Sequence, residues 1–212
     1  MTKKEIAEIL LKIKAVTLNV KEPYTYASGI RSPIYTDNRL LMSHVPERRR
    51  IVEIMQEALK EKGIDFDVIA GTATAGIPHA AWLSELENSP MIYVRGKQKE
   101  HGKQNKVEGN LETGQTVIVV EDLISTGGSS IETVEAIRSA GGIVENVLVI
   151  FTYDMKKAKD AFEKAKCNVI ALCDFGSMIE EAAERKYITE KEAEIAKEWN
   201  KDPENWGKKY GF

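Results

Sequence analysis

Short apolar runs alternate with longer segments of helical spacing along most of the chain. The apolar runs are rich in β-branched residues, are bounded by turn residues, and cover residues 66–71, 91–95, 116–122, 144–154 and 168–175. The segments between them, such as residues 129–140 and 155–166, repeat apolar residues at the spacing of an amphipathic helix. Strands separated by single helices imply right-handed crossovers. The pattern therefore predicts an α/β fold with a mostly parallel central sheet flanked by helices.

The two ends of the chain depart from this alternation. An amphipathic helix is predicted at the start from the spacing of Ile6, Ile9, Leu10, Ile13 and Val16. Residues 24–39 alternate aromatic and polar side chains around SG and SP turns, which indicates a hairpin or two short strands. A helix over about residues 46–62 follows. A last helix is predicted to reach about Trp199, with residues 202–212 as an aromatic-bearing tail that packs on the protein.

Length and charge narrow the class of protein. A chain of 212 residues suits a single α/β domain over residues 1–212. A net charge of −3 argues against general affinity for nucleic acid or membrane surfaces. No run approaches the ~20 apolar residues of a membrane span, and the N-terminus lacks the features of a secretory signal. Cys167 and Cys173 are expected to be reduced core thiols, so a cytoplasmic location is expected.

Residues 96–110 form a polar segment that is long for an α/β connection. Its sequence, GKQKEHGKQNKVEGN, contains Val107 as its only large apolar residue. Such segments in compact domains are often functional loops. We therefore expect residues 96–110 to be a flexible loop with a role in function.

The stretch ISTGGSS, residues 124–130, follows the strand predicted at 116–122. In open α/β sheets, ligands bind at the carboxyl ends of the strands. The two glycines allow close approach of the backbone, and the hydroxyl groups and the first turn of the next helix can donate hydrogen bonds. A capped strand-to-helix turn would account for Ser129 alone. The density of small and hydroxylated residues favours a phosphate cradle.

Two acids, Glu121 and Asp122, directly precede this cradle. Carboxylates would repel a phosphate, but they accept hydrogen bonds from the hydroxyls of a ribose, so a sugar phosphate satisfies both halves of the stretch. Their charge would also favour positive charge that develops on a ribose ring in a transition state. Rival phosphate motifs are absent, because GTATAGIP lacks the lysine of a P-loop and no GxGxxG follows a strand.

The stretch VIVVEDLISTGGS resembles the phosphoribosyl-diphosphate signature of the type I phosphoribosyltransferases. Within them the chain is most similar to the orotate phosphoribosyltransferases, from YTYASGIRSPIYTDNR through GTATAGIPHAA and VRGKQKEHGKQNKVEG to VIVVEDLISTGGS. The resemblance implies the type I fold with a small hood formed mainly by the N-terminal residues 1–45. It also implies Mg²⁺-dependent transfer of ribose 5-phosphate from phosphoribosyl diphosphate to orotate, in pyrimidine biosynthesis, by a homodimer that shares loops across its interface.

The same resemblance assigns roles to individual residues. It implies that Lys99, His101 and Asp122 are catalytic and that Arg95, Lys99 and His101 contact the diphosphate. The donor-binding residues it implies in the loop and at the strand end are Arg95, Lys99, His101, Glu121, Asp122, Leu123, Ile124, Ser125, Thr126, Gly127, Gly128 and Ser129. Ala73 and Thr74 would complete the diphosphate site, joined by a cis peptide bond. Mg²⁺ would be held mainly by ligand oxygens and water, with no metal cage made by the protein.

Orotate would be bound by Tyr35, Arg31, Arg39 and Ser125. Some members of the family carry a lysine where Ala27 stands here, an arginine where Tyr153 stands and a second basic residue where Gly96 stands. Two other functions stay open. One is a phosphoribosyltransferase for another base, since the donor signature does not report the base. The other is a regulator that binds phosphoribosyl diphosphate without turnover, although such a protein would be expected to lack Lys99 and His101.

Overall fold

The computed structural model describes residues 3–96 and 106–212. Its helices and strands largely follow the predicted alternation. They are numbered in chain order. The elements are α1 (Lys3–Lys12), β1 (Val16–Leu18), β2 (Tyr24–Thr25), β3 (Arg31–Ser32), β4 (Ile34–Thr36), a 3-10 helix (Asn38–Ser43), α2 (Val45–Glu61), β5 (Val68–Thr72), α3 (Gly76–Glu87), β6 (Met91–Val94), β7 (Val107–Glu108), β8 (Thr116–Ile124), α4 (Gly128–Ser139), β9 (Ile143–Thr152), α5 (Lys156–Lys164), β10 (Asn168–Asp174), α6 (Phe175–Glu184), α7 (Glu190–Lys201) and α8 (Pro203–Tyr210).

The central sheet has six strands in the order β10-β9-β8-β5-β6-β7. All neighbours in it are parallel except β7, which runs antiparallel to β6 at the edge. Every residue of β5 is buried, as expected for a strand covered on both faces. The predicted α/β class and the mostly parallel sheet are confirmed. The carboxyl ends of β5 and β8, which are neighbours in the sheet, bring two of the predicted loops to one edge.

Helices cover both faces of the sheet. On one face, α4 and α5 pack Val134, Ile137 and Phe162 into a core with the strands. The other face carries the larger core, to which α1, α2, α3, α6 and α7 contribute. Burial of these apolar side chains at both faces supplies most of the driving force for folding. Cys167 and Cys173 are free and buried, as predicted.

A small layer lies beyond the carboxyl edge of the sheet and is called the hood below. It consists of the antiparallel pairs β1–β4 and β2–β3. Its inner side is aromatic, because the Tyr26 ring meets Trp199 of α7 edge to face. The Trp199 indole N–H donates to the carbonyl of Arg31 at 2.9 Å, and Asn200 donates to the carbonyl of Tyr153. Helix α7 thus holds the hood against the sheet.

Four local predictions differ from the structure. Helix α1 ends at Lys12, and Val16 begins β1 as the partner of Thr36. Residues 202–212 were expected as a tail, but α8 covers most of them, with Pro203 in its first turn. Helix α6 directly follows β10 and was missed. Strand β7 occupies Val107–Glu108, within the segment that was expected to be loop.

No helix among the described residues is long and apolar enough to cross a membrane.

Candidate active site

The site begins with two acids at the carboxyl end of β8. Glu121 is 4% exposed and accepts hydrogen bonds from the Ser130 hydroxyl at 3.0 Å and the Asp122 backbone N–H at 3.1 Å. Burial, followed by the nearby charge of Asp122, raises the pKa of Glu121 to about 8. Burial also raises the pKa of Asp122. The site therefore disfavours negative charge on Glu121 unless a bound group compensates it.

The turn after β8 leads into the N-terminus of α4. Gly127 has a φ of +84°, in the left-handed region that favours glycine, and an added Cβ would lie 3.1 Å from the Phe162 ring. Space beside Gly128 is open, and Thr126 and Ser129 are exposed. The Gly128–Ser139 helix directs its first N–H groups toward this open space. The predicted cradle therefore has the form of an accessible anion site.

The loop after β5 lies beside this turn. The Ala73–Thr74 peptide bond is cis, which confirms the prediction. Helix α3 starts at Gly76, where an added Cβ would lie 2.5 Å from the carbonyl oxygen of Val120. Only a glycine allows this contact between α3 and the strand that carries the acids. The buried Thr72 hydroxyl has no hydrogen-bond partner among the described residues and is a candidate donor to a ligand.

A cavity of about 30 Å³ joins several predicted donor-binding residues. It is lined by Thr72, Ala73, Val94, Arg95, Gly96, Lys106, Ser129, Glu132 and Thr133. Arg95 is held there by Glu108 at 3.3 Å, and its backbone N–H donates to the carbonyl of Lys106 at 3.0 Å. The structure thus brings the cis-peptide loop, Arg95 and the start of α4 around one polar space.

The hood supplies the residues predicted for the base. Tyr35 is 44% exposed, and its ring lies 5.6 Å from the ring of Tyr24. Arg39 pairs through two nitrogens with Asp37, at 2.6 and 2.9 Å, and its charge lowers the pKa of Asp122 against the larger effect of burial. Arg39 therefore lies close enough to Asp122 for their charges to interact.

Arg31 points elsewhere. Its guanidinium donates to the Thr25 hydroxyl at 2.7 Å, and its side-chain stem packs against Gly207 of α8.

Two further pairs of residues were predicted for the site, and the structure describes only the pair Leu123 and Ile124. Leu123 is partly buried, whereas the side chain of Ile124 is 2% exposed and packs in the core. The carbonyl of Ile124 accepts from the backbone of Tyr153 at 3.0 Å, so Ile124 supports the strand and its side chain does not line the site. Lys99 and His101 lie outside the described residues.

Comparisons with known proteins identify the family. A model of the phosphoribosyl transferase domain matches residues 43–197. An orotate phosphoribosyltransferase of Listeria monocytogenes serotype 4b (strain F2365) is 51% identical over 205 residues, which cover 97% of this chain and 98% of that protein. The chain belongs to the orotate phosphoribosyltransferase family. An orotate phosphoribosyltransferase of Coxiella burnetii is 50% identical over 95% of this chain and 97% of that protein.

A solved structure of an orotate phosphoribosyltransferase from Aeropyrum pernix superposes with a TM-score of 0.75 at 27% identity, over 84% of this chain and 98% of that one. It confirms the predicted type I fold. The domain model leaves residues 1–42 and 198–212 unmatched, and these hold the four short strands of the hood and helix α8. Similarity to the orotate phosphoribosyltransferases extends into both segments, since the Listeria protein matches 97% of the chain.

Sequence reasoning assigned no binding role to three buried polar residues that the structure connects to the acids or to the hood of this orotate phosphoribosyltransferase family member. Ser130 is fully buried and donates to Glu121. Asn38 is 1% exposed and donates to the carbonyl of Asp122 at 2.6 Å. Tyr153 is 4% exposed, and its hydroxyl lies 3.0 Å from that of Tyr26 and 3.2 Å from that of Thr36. The position of Ser130 in the SS dipeptide that follows the two glycines could have indicated its place at the site. No such sequence signal marked Asn38.

Proposed function

We propose that the chain transfers the ribose 5-phosphate group of phosphoribosyl diphosphate to a ring nitrogen of orotate, releasing diphosphate and forming orotidine 5′-phosphate. The observation that carries this proposal is the buried acid pair beside an open phosphate cradle. Ribose hydroxyls can donate to Glu121 and Asp122 while the 5′-phosphate accepts from the N-terminus of α4. The product is a pyrimidine nucleotide, so the reaction is proposed as a step of pyrimidine biosynthesis.

The diphosphate of the donor is proposed to bind against the polar surface that Ala73, Arg95 and Ser129 form around this small cavity. Arg95 supplies a permanent positive charge there, and the Glu108 carboxylate fixes its direction. Lys99 and His101 are proposed to bind the same group, with His101 able to donate a proton to the departing diphosphate. Positioning and electrostatic stabilisation carry the reaction, because positive charge develops on the ribose as the diphosphate leaves.

Mg²⁺ is proposed as the cofactor. Among residues 3–96 and 106–212, no group of three or more His, Cys, Asp or Glu side chains is placed to hold a metal ion. The acids at 121 and 122 offer carboxylate oxygens next to the donor, which suits an ion that keeps most of its water and binds through substrate oxygens. When bound, Mg²⁺ neutralises charge on the diphosphate. The residues therefore fit an ion that arrives with the donor.

Orotate is proposed to lie between the hood and the end of β8. The exposed ring of Tyr35 offers a flat surface to the pyrimidine, and Ser125, half-buried in the turn after β8, is proposed to contact the base. Arg39 can pair with the carboxylate of orotate, although it must share its guanidinium with Asp37. Arg31 is directed at Thr25 and is a weaker candidate than the sequence suggested.

The direct test of this function is a panel of acceptor bases. Purified protein is given phosphoribosyl diphosphate and Mg²⁺, and diphosphate release is followed with orotate, uracil, adenine or hypoxanthine. Turnover with orotate alone is expected. Selective turnover of another base would replace the acceptor assignment, and donor binding without turnover of any base would support a regulator.

A homodimer is also proposed. Leu40 and Met42 in the 3-10 helix and Val45 at the start of α2 are exposed apolar residues close together in sequence, where a second copy could cover them.

Replacing Lys99 with alanine is expected to lower kcat by at least about a hundredfold, because a cation at the diphosphate is lost. The matched control is Lys103→Ala, which removes the same charge four positions away and should keep near-wild-type kcat. Mixing Lys99→Ala subunits with Asp122→Asn subunits should restore activity if the loop of one subunit acts on the site of its partner. Wild-type kinetics for Lys99→Ala would remove Lys99 from the mechanism.

A further inference from the structure

Asn38 connects the hood to the donor-binding end of β8. It is 1% exposed and lies 84 residues from Asp122, whose carbonyl accepts from its side-chain amide at 2.6 Å. The register between β5 and β8 ends at the Gly71–Val120 pair, two residues before Asp122. The Asn38 amide therefore bonds a backbone carbonyl of β8 beyond the last residue that pairs with β5.

The side-chain oxygen of Asn38 indicates which contact requires a polar residue at this position. Its side-chain oxygen is buried and has no hydrogen-bond partner among the described residues. An unsatisfied buried acceptor costs on the order of 1–3 kcal/mol. A residue chosen only to fill this space would be apolar. The N–H donated to Asp122 is the one contact that distinguishes asparagine from leucine at this position.

The residues beside Asn38 are tied to one another by hydrogen bonds and by the chain. Asp37 accepts from the backbone N–H of Arg39 at 3.2 Å and pairs with the Arg39 guanidinium, so the start of the 3-10 helix is internally tied. Tyr35 lies in β4, only two residues before Asp37. A shift of Asn38 relative to β8 would therefore move the proposed orotate-binding residues relative to the ribose-binding acids.

We propose that Asn38 is a positioning residue that sets the distance between the acceptor in the hood and the donor on β8. The inference rests on the proposed function, because it assigns orotate to the hood and ribose to the acids. Asn38 contacts neither substrate and acts through the backbone of Asp122. A misplacement of about 1 Å between reacting groups can cost about a hundredfold in rate. Loss of the bond should therefore lower kcat while each substrate still binds.

The test compares Asn38→Leu and Asn38→Asp with the wild type. Asn38→Leu removes the donor to the Asp122 carbonyl at every pH, whereas Asn38→Asp keeps the size of the side chain and removes the donor when its carboxyl group is ionised. We expect kcat to fall about 10- to 100-fold, with the dissociation constant of Mg²⁺–phosphoribosyl diphosphate, measured by calorimetry without orotate, changed by less than about threefold. The matched control is Asn168→Ala, which removes a surface amide bond to Asn146 of 3.2 Å.

The Asn38→Asp variant gives a second readout that a structural role would not produce. Its introduced carboxyl group can donate to the Asp122 carbonyl only when protonated. The deficit in kcat relative to wild type should therefore shrink as the pH falls from about 8 to about 5. Wild-type kcat in Asn38→Asp, or a constant deficit across this range, would overturn the proposal even if Asn38→Leu failed to fold. Absence of orotate turnover in the wild type would instead contradict the proposed function.

Discussion

Replacing Glu121 with glutamine is expected to stabilise the protein at alkaline pH while lowering its activity. The carboxyl group is 4% exposed, and its pKa is raised to about 8 by burial and by Asp122. Glutamine keeps a side-chain oxygen that can accept from Ser130 but never ionises. Activity should fall about a hundredfold in kcat/KM, because glutamine cannot supply the negative charge that we propose Glu121 presents to the ribose once the donor is bound.

The pH dependence of this stabilisation follows from the direction of the shift. An unfolded glutamate ionises near its ordinary value of 4.5, whereas the folded one keeps its proton up to about pH 8. As pH rises between these values, the unfolded state loses protons that the folded state retains, so the free energy of unfolding falls. The wild type therefore loses stability on the order of a few kcal/mol across this range. Glu121→Gln avoids that loss.

Thermal unfolding of both proteins at about pH 5 and about pH 8.5 measures the effect. The difference in Tm between Glu121→Gln and wild type should be small at the lower pH and should increase at the higher one. The control is Glu112→Gln, at an exposed glutamate in the turn before β8, for which no such increase is expected. An equal Tm difference at both pH values would show that Glu121 is ionised throughout.

The parts of the site that follow directly from strands could be predicted from the sequence. Glu121 and the turn to Ser129 were found because ligands gather at the carboxyl ends of parallel strands. Asn38 could not be found this way, since its role depends on a contact with Asp122 that spans 84 residues. Its neighbours in the sequence show no pattern that distinguishes it from an exposed turn residue.

The helices that were missed have local causes. Gly176 in the first turn of α6 and Gly207 in α8 are unfavourable for helices, which weakens the helical signal of both segments. Pro203 was the signal that should have been used, because proline is common in the first turn of a helix. In both helices, burial of an apolar face against the large core outweighs weak intrinsic propensity.

Replacing Gly76 with alanine is expected to lower the free energy of unfolding by about 3 kcal/mol. The added Cβ would lie 2.5 Å from the Val120 carbonyl oxygen and 3.4 Å from the Glu121 Cα. Both atoms belong to the backbone of β8, so no flexible side chain can move aside. Tm should fall by roughly 10 °C for a chain of this length. Since the strand displaced is the one that ends in the acids, donor binding should weaken too.

The control for this prediction is Gly176→Ala. Gly176 also lies in the first turn of a helix, but an added Cβ would meet only the Asp174 carboxylate oxygen, at 3.4 Å. Its replacement should change stability by less than about 0.5 kcal/mol. Equal Tm values for Gly76→Ala and wild type would mean that α3 can move away from β8 without loss of packing.

The contact of Trp199 with the hood has a consequence for the order in which the protein is completed during synthesis. All six strands of the central sheet have been made once residue 174 leaves the ribosome. The contacts that support the hood are still missing then, because the hydrogen-bond donor to the Arg31 carbonyl is on Trp199 and the Arg31 side-chain stem packs against Gly207. Neither residue has been made at that stage. The carboxyl end of β8 can therefore assemble before the hood, whose contacts are completed by α7 and α8.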